Sequence, residues 1–400
     1  MKAVEEVNCL YTPYEIKLKS ELKRLDASKV LSTNKELIKN FLNHISVNWT
    51  IQRVVFYAGR LRKIALFKNK DFKLWSKDDV EDLVRQINGM KYAEWTKHSY
   101  RVSLKRFFTW LGKKEIIEGI KAHIPKSKQK LPEDLLNDED IKKLILVANN
   151  IRDATLFALL YDSGARIGEV ANIRVKDLLF DEFGVRLRLR GKTGTRIVRL
   201  TDFPLPYIKD YIQSIGEISQ DELLFKNRYR NEPLSYNIIE RVLKDAKESA
   251  KIKKPVNPHH FRHSRASQLA NNLTEAQMCG FFGWGHGSKM PGVYVHLSSK
   301  DVDDAILKMS GKVKSNQETR TLKPVVCLRC KKENKVTDAF CNCGFPLNDR
   351  AINIKTLENE LNERLVREFI IGKKSSAPEE IAKDKELINL LAKIEELKTG

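Results

Sequence analysis

The segment Lys121 to Pro132, KAHIPKSKQKLP, constrains this chain more than any other. It is polar and basic and holds two prolines. Each proline removes a backbone donor and biases the residue before it towards extended conformations, so no regular element runs through the segment. Residues 121–132 therefore read as an interdomain linker. A chain of 400 residues also exceeds what one hydrophobic core sustains. The two flanks are read as separate folding units.

Residues 1–120 read as helical. Leu37, Ile38, Phe41, Leu42 and Ile45 recur with a helical period behind Ser32-Thr33, a candidate cap. A second stripe, Val54, Val55, Ala58, Leu61 and Ala65, follows Trp49-Thr50, with Arg53, Arg60, Arg62 and Lys63 on the other face. Ser76 with Asp78, Asp79 and Asp82 marks a capped start with acids in the first turn. A fourth helix is expected from about Glu94 to Leu111. Beyond the linker, residues 133–312 form a larger mixed unit. Helices are expected near 138–148, 151–162, 205–214, 236–250, 260–271 and 274–282. Val185 to Arg190 alternates apolar and basic residues, then comes Gly191-Lys192-Thr193-Gly194, then a second run to Leu200. That is a β-hairpin signal. Pro291-Gly292 before Tyr294 suggests a loop rather than a helix.

With 73 Lys+Arg against 52 Asp+Glu, the formal charge is +21. Residues 1–128 hold more than half of the excess, and residues 349–400 are balanced. Such a field favours a polyanion, with nucleic acid first among partners, and makes binding salt-dependent. No stretch approaches the roughly 18 apolar residues that span a bilayer, and the N-terminus has no continuous apolar segment, so neither a membrane protein nor a secretory signal is expected.

Several polar motifs follow one another in the second unit: SGARIGEV with Arg166 and Glu169, GKTGTRIVRL with Lys192, HHFRHS with His259, Arg262 and His263, GWGH with His286, and VYVHL with Tyr294. Each alone is weak. In this order, over residues 30–310, they make the chain resemble the tyrosine recombinase (phage integrase) family. The chemistry of the side chains agrees. Two arginines can hold a phosphodiester with bidentate hydrogen bonds and offset the charge of a pentacoordinate phosphorane. A tyrosine can attack phosphorus, a lysine can protonate the leaving oxygen, and histidines can move protons.

The resemblance implies an α+β, mostly α chain. An N-terminal helical (SAM-like) core-binding domain, residues 1–120, and a catalytic domain with a small β-sheet, residues 133–312, would close as a C-shaped clamp on duplex DNA. It implies Arg166 and Arg262 as the phosphate clamp, Tyr294 as nucleophile and Lys192 as general acid. His259 and His286 would assist proton transfer, with Glu169 and His263 in support. It further implies a 3′-phosphotyrosine intermediate, no metal or nucleotide for the chemistry, a homotetramer on two DNA sites, room for accessory DNA-bending proteins, and a cytoplasmic, nucleoid-associated location. Lys176 and Arg196 are the nearby rivals for the Lys192 position. Two departures stand out: Trp284 precedes Gly285-His286 where the family commonly has Leu, and Met290-Pro291-Gly292 precedes the tyrosine.

Cys327, Cys330, Cys341 and Cys343 fall within one short stretch. Four thiolates suit a structural Zn2+. The module at 322–349 resembles a zinc ribbon whose second knuckle, Cys-x-Cys-Gly, is one residue short. Residues 350–400 read as a helical tail, with Leu357, Leu361 and Leu365 and then Leu387, Leu390, Ile394 and Leu397 in helical spacing, expected to dock on its own domain or on a neighbouring subunit. Two rival functions share much of this evidence. One is a type IB topoisomerase-like relaxase. The other is a non-catalytic DNA-binding regulator, which would need no nucleophile.

Overall fold

A computed structural model describes residues 14–122, 135–191, 194–227, 230–270, 272–285, 287–294, 322–370 and 385–399, with Leu307 and Ser310. Of the expected linker, residues 121–132, all but the first two lie outside the described residues. The chain divides into two compact units, Met1–Glu133 and Asp134–Gly400.

The first unit holds α1 (Tyr14–Asp26), α2 (Ser32–Ser46), α3 (Ile51–Phe67), α4 (Lys77–Gly89) and α5 (Glu94–Trp110). Helix α1 leaves little periodic signal in the sequence, because its apolar face is thin: Leu25 is its buried residue. Its aromatic core is built edge to face. Phe107 meets Phe72 at 4.9 Å and Phe41 at 5.4 Å between ring centroids. This geometry sets the positive ring edge against the negative ring face. Ser76 caps α4 through a reciprocal box with Asp79. Ser32, by contrast, lies inside α2, and Leu31 before it makes no side-chain cap. The nearby polar residue Asn34 is instead buried, donating to Lys70 O and accepting from Phe72 N. It satisfies a loop that no helix serves.

The second unit is organised around α7 (Ile151–Ser163), buried from Asp153 to Ser163. A helix buried on every side must be wrapped by others; α6 (Asp138–Leu146), α9 (Leu205–Ile215) and α11 (Pro258–Ala270) pack on it. The short α8 (Ile167–Ala171) leads to an antiparallel sheet, β1 (Leu178–Asp181), β2 (Gly184–Gly191) and β3 (Gly194–Arg199), in sequence order. The β2–β3 hairpin matches its sequence signal, with Val185, Leu187 and Leu189 buried and Gly191 opposite Gly194. Strand β1 carries no strand signal in the sequence: only Leu178 of its four residues is buried and no alternation shows. A second small sheet pairs β4 (Lys226–Asn227) with β5 (Arg230–Pro233), followed by α10 (Tyr236–Ser249), α12 (Glu275–Phe282) and α13 (Pro291–Tyr294). The last is a single helical turn that starts at Pro291, where a loop was expected, and among the described residues no continuous helix leads into it. Pro291 sits at the helix start, where its missing N–H has no intrahelical partner to lose.

The cysteine module pairs β6 (Val325–Val326) with β7 (Glu333–Asn334) and rests on α9. The Tyr207 and Thr337 hydroxyls meet at 3.0 Å, and Lys335 reaches Asp210 at 2.5 Å. In the tail, α14 (Asp349–Ile370) and α15 (Lys385–Thr399) form an antiparallel hairpin. Arg350 bonds Leu397 O at one end and Arg364 pairs with Glu386 at the other, burying Ala351, Ile354, Leu387 and Ile394. Among the described residues no helix is long and apolar enough to cross a membrane.

Phe107→Ala should cost the first unit about 3–5 kcal/mol. Trp49, Trp75, Trp95 and Trp110 all lie in this unit. Tryptophan fluorescence during urea unfolding of the full chain should show its transition moved to lower denaturant.

Candidate active site

The site forms where α7 ends. Gly164 terminates the helix in the left-handed conformation, φ +54°, and a Cβ there would lie 2.6 Å from the Phe282 ring. Glycine is thus demanded twice, by backbone and by packing. The turn frees the Gly164 carbonyl and places Arg166 at the N-cap of α8. Glu169, one turn on, accepts from the Arg166 backbone N–H at 2.8 Å and from its guanidinium at 3.1 Å.

Glu169 is the electrostatic centre. Its carboxylate is only 2% exposed. Arg196, from β3, donates to it through both terminal nitrogens, at 2.7 and 2.8 Å, and through Nε to Phe281 O at 2.8 Å. Burial by itself would raise the Glu169 pKa; the hydrogen bonds and charge of Arg196 and Arg166 outweigh it and hold the carboxyl below its ordinary value. Gly191, at the turn end of the hairpin, completes the fit, since a Cβ there would lie 2.6 Å from Glu169 Oε1.

Arg262, on α11, is buried. Its guanidinium donates to Gly164 O at 2.9 Å and to Phe282 O at 2.7 Å, over the Phe282 and Trp284 rings at 5.0 and 5.5 Å. Burial, then the nearby Arg166 charge, brings its pKa down to about 9. A buried guanidinium and a part-exposed one that feel each other's charge favour an anion beside them. Tyr294 closes the group. Its ring stacks on Trp284, 5.8 Å away and 3° from parallel, and its hydroxyl hydrogen-bonds His263 Nδ1. Burial pushes its phenol up to about 12, with Arg262 pulling the other way.

The fold therefore gathers Arg166, Glu169, Arg262, His263 and Tyr294. His259 is exposed at the rim, its ring 6.0 Å from that of His263. Lys192 and His286 lie outside the described residues. Trp284, one of the two departures, is a packing surface for Tyr294. His260 is buried and bonded to Asn257, and Lys176 pairs with Asp221 on the surface. Arg196, considered only as a rival for the lysine position, is instead the second clamp on Glu169. Its place could not be read from sequence, since it reaches Glu169 across the sheet and Phe281 across a helix.

The four thiols form a separate cluster, all within 4.8 Å of one another. Cys327 and Cys343 sulfurs are 3.6 Å apart, Cys330 and Cys341 sulfurs 3.5 Å. Zinc–sulfur bonds of about 2.3 Å in a tetrahedron put sulfurs roughly 3.8 Å apart. The set fits such an ion, despite the shortened second knuckle.

Comparison with known proteins gives a consistent set of similarities. Residues 134–301 match the phage integrase family. A tyrosine recombinase of Thermosipho africanus is 27% identical over 289 residues, covering 68% of this chain and 98% of that protein. Tyrosine recombinase XerA of Pyrococcus furiosus is 30% identical over 208 residues, covering 51% of this chain and 70% of that protein. Among solved structures, XerH recombinase in a post-cleavage complex with palindromic difH substrate shares the fold, with TM-score 0.56 and 18% identity over 77% of this chain and 93% of that one. So does a lambda integrase dimer bound to a COC′ core site, with TM-score 0.53 and 14% identity over 71% and 81%.

Glu169→Gln tests the electrostatic centre. A carboxyl whose folded pKa lies below its unfolded value contributes stability above about pH 4.5, and that contribution is lost as pH falls through the folded pKa. The wild-type protein should therefore lose more thermal stability between pH 6 and pH 3 than the Gln variant, which should start less stable at pH 7.

Proposed function

The chain belongs to the phage integrase family of tyrosine recombinases, and on that premise we propose that it cuts and rejoins duplex DNA at a specific site through a 3′-phosphotyrosine on Tyr294. The observation that carries this is the meeting of Arg166, Arg262 and Tyr294 around the Gly164 turn.

A scissile phosphate between the two guanidiniums would receive charge-assisted hydrogen bonds that strengthen as the phosphorane gains negative charge. Arg262 is fixed by two carbonyls and Arg166 by Glu169, so little reorganisation is needed at the moment of reaction. The Tyr294 oxygen attacks phosphorus, and the 5′-oxygen leaves with a proton for which Lys192 is the assigned donor. His259 and His286 are assigned to assist. The phosphotyrosine conserves the bond energy, so rejoining to a partner strand needs no nucleotide. The charge balance of +21 and the DNA complexes of XerH and lambda integrase support duplex DNA as substrate. Four protomers on two sites, aided by DNA-bending proteins, is the assembly this reading assigns. Residues 1–120 are the core-binding domain and 133–312 the catalytic domain.

For the cysteine module the assignment is a structural Zn2+ held by Cys327, Cys330, Cys341 and Cys343. It would supply folding energy to a segment with two very short strands. Its docking residues, Thr337 and Lys335, face α9.

Covalent trapping tests the reading. Protein and genomic DNA carrying candidate target sites are mixed in EDTA, quenched with SDS, and adducts sequenced. Wild type should give adducts at one sequence and Tyr294→Phe none. Loss of wild-type adducts in EDTA, with the catalytic unit still folded, would contradict the metal-free mechanism. Strand exchange between two labelled duplexes then separates recombination from simple relaxation. Replacing Cys327 and Cys330 by Ser should abolish stoichiometric zinc, measured by atomic emission, and lower the melting temperature of the second unit.

A further inference from the structure

The cysteine module has a docked end and an open one. Thr337 and Lys335 hold the first on α9. The second is the first knuckle, Val326 to Lys332. Leu328 is 73% exposed there and Val326 50%. Arg329, Lys331 and Lys332 are exposed around them. Residues 322–332 hold these three cations and Lys323, and no acid. A Zn2+ ion on four thiolates would carry two net negative charges, so two of the four cations remain in excess. The backbone adds an independent observation. The residue after the second cysteine of each pair is left-handed, Gly344 at φ +79° and Lys331 at φ +60°. Both turns close on a cysteine carbonyl: Gly344 N–H donates to Cys341 O at 2.8 Å, and Lys331 N–H to Cys327 O at 2.9 Å. Glycine is the unstrained choice at such a position, and the second knuckle has it. The first knuckle instead keeps a lysine, whose side chain reaches solvent. Backbone strain held at an exposed cation points to a use for that cation.

We propose that the first knuckle is a further DNA contact: Arg329, Lys331 and Lys332 hold phosphates of the duplex flanking the cleavage site, and Leu328 packs on its sugars. The proposal rests on duplex DNA being the substrate. Lysine binds phosphate as a point charge, and arginine adds a planar fork of donors. Arg329 also spans the two knuckles, donating to Cys343 O at 3.4 Å, which ties the cationic tip to the cysteine cluster. An exposed leucine between cations fits a groove, where apolar sugar edges lie between charged phosphates and apolar wedges are in common use. An acidic protein would attract the same cations. DNA is the better fit, because the phosphate clamp of Arg166 and Arg262 belongs to the same compact unit and the whole chain carries +21. Contacts to phosphate carry no sequence information, so the knuckle adds affinity and register rather than base readout or chemistry.

The experiment measures duplex binding by the full chain, followed by fluorescence anisotropy over a series of KCl concentrations. The triple variant carries Arg329→Gln, Lys331→Gly and Lys332→Gln. Each phosphate contact contributes about 0.9 to the slope of log affinity against log salt, so the variant should lower that slope by about 2–3 and bind about 10–100-fold more weakly near 0.1 M salt. Cleavage at saturating DNA should stay within a few-fold of wild type, because no reacting group has changed. Hydroxyl-radical footprints on the trapped target should lose a protected patch beside the cleavage site and keep the protection at it. Lys331→Gly alone separates contact from folding. It relieves a left-handed lysine, so the module should keep its zinc and melt no lower than wild type, yet bind duplex several-fold more weakly. Should the triple variant lose its zinc, this single variant decides. Three results would overturn the proposal. One is an unchanged slope and affinity. Another is weakened zinc binding with duplex binding intact, which would make the cations a counter-charge for the thiolates. The third is lost binding to polyglutamate with duplex binding intact, which would assign the tip to an acidic protein. If the wild type itself binds no duplex, the substrate reading beneath the proposal fails as well.

Discussion

The site depends on one buried carboxylate. A buried carboxylate carries a large desolvation cost, which good geometry and added hydrogen bonds must offset. Glu169 meets that condition with a backbone N–H, one guanidinium from its own helix and a second from β3. The result is a rigid joint among α8, the hairpin and the end of α12, since Arg196 also holds Phe281 O. Removing any one partner strands the others, so the joint has few neighbouring alternatives.

From this joint the remaining geometry follows. Gly164 turns the chain so that its carbonyl meets Arg262, and Phe282 O meets the same guanidinium from the other side. The cation is positioned by neutral oxygens rather than by a carboxylate. Among the described residues its guanidinium makes no direct ion pair, and the Glu169 carboxylate acts on it only through space, which leaves its donors better suited to a phosphate. Aromatic stacking continues the line from Phe282 to Trp284 to Tyr294. The Trp284 departure reads naturally here: its flat face matches the phenol ring.

The sequence disclosed the parts of this arrangement that depend on local chain geometry. Arg166 and Glu169 are one helical turn apart, Gly164 precedes a cap, and the β2–β3 hairpin alternates. Order along the chain also singled out Arg262 and Tyr294. What stayed hidden depends on contacts across long sequence separations. Arg196 is one of many basic residues in and around the hairpin, and nothing local distinguishes the one aimed at Glu169. The contact of His263, rather than His259 or His260, with the Tyr294 hydroxyl is equally invisible until Tyr294 is placed. Helix α1 and strand β1 bury too few residues to leave a periodic signature. The proline before Tyr294 suggested a loop because proline both ends and begins helices, and only the fold says which.

In this mechanism the arginine pair presents a phosphate to Tyr294. It is tested most directly by identifying the residue that carries DNA. The trapped adduct would be digested with nuclease and protease, and the nucleotide-bearing peptide sequenced by mass spectrometry. The expected product is a nucleotide esterified through its 3′-phosphate to Tyr294. A nucleotide on any other side chain, or a 5′-phosphate linkage, would contradict it.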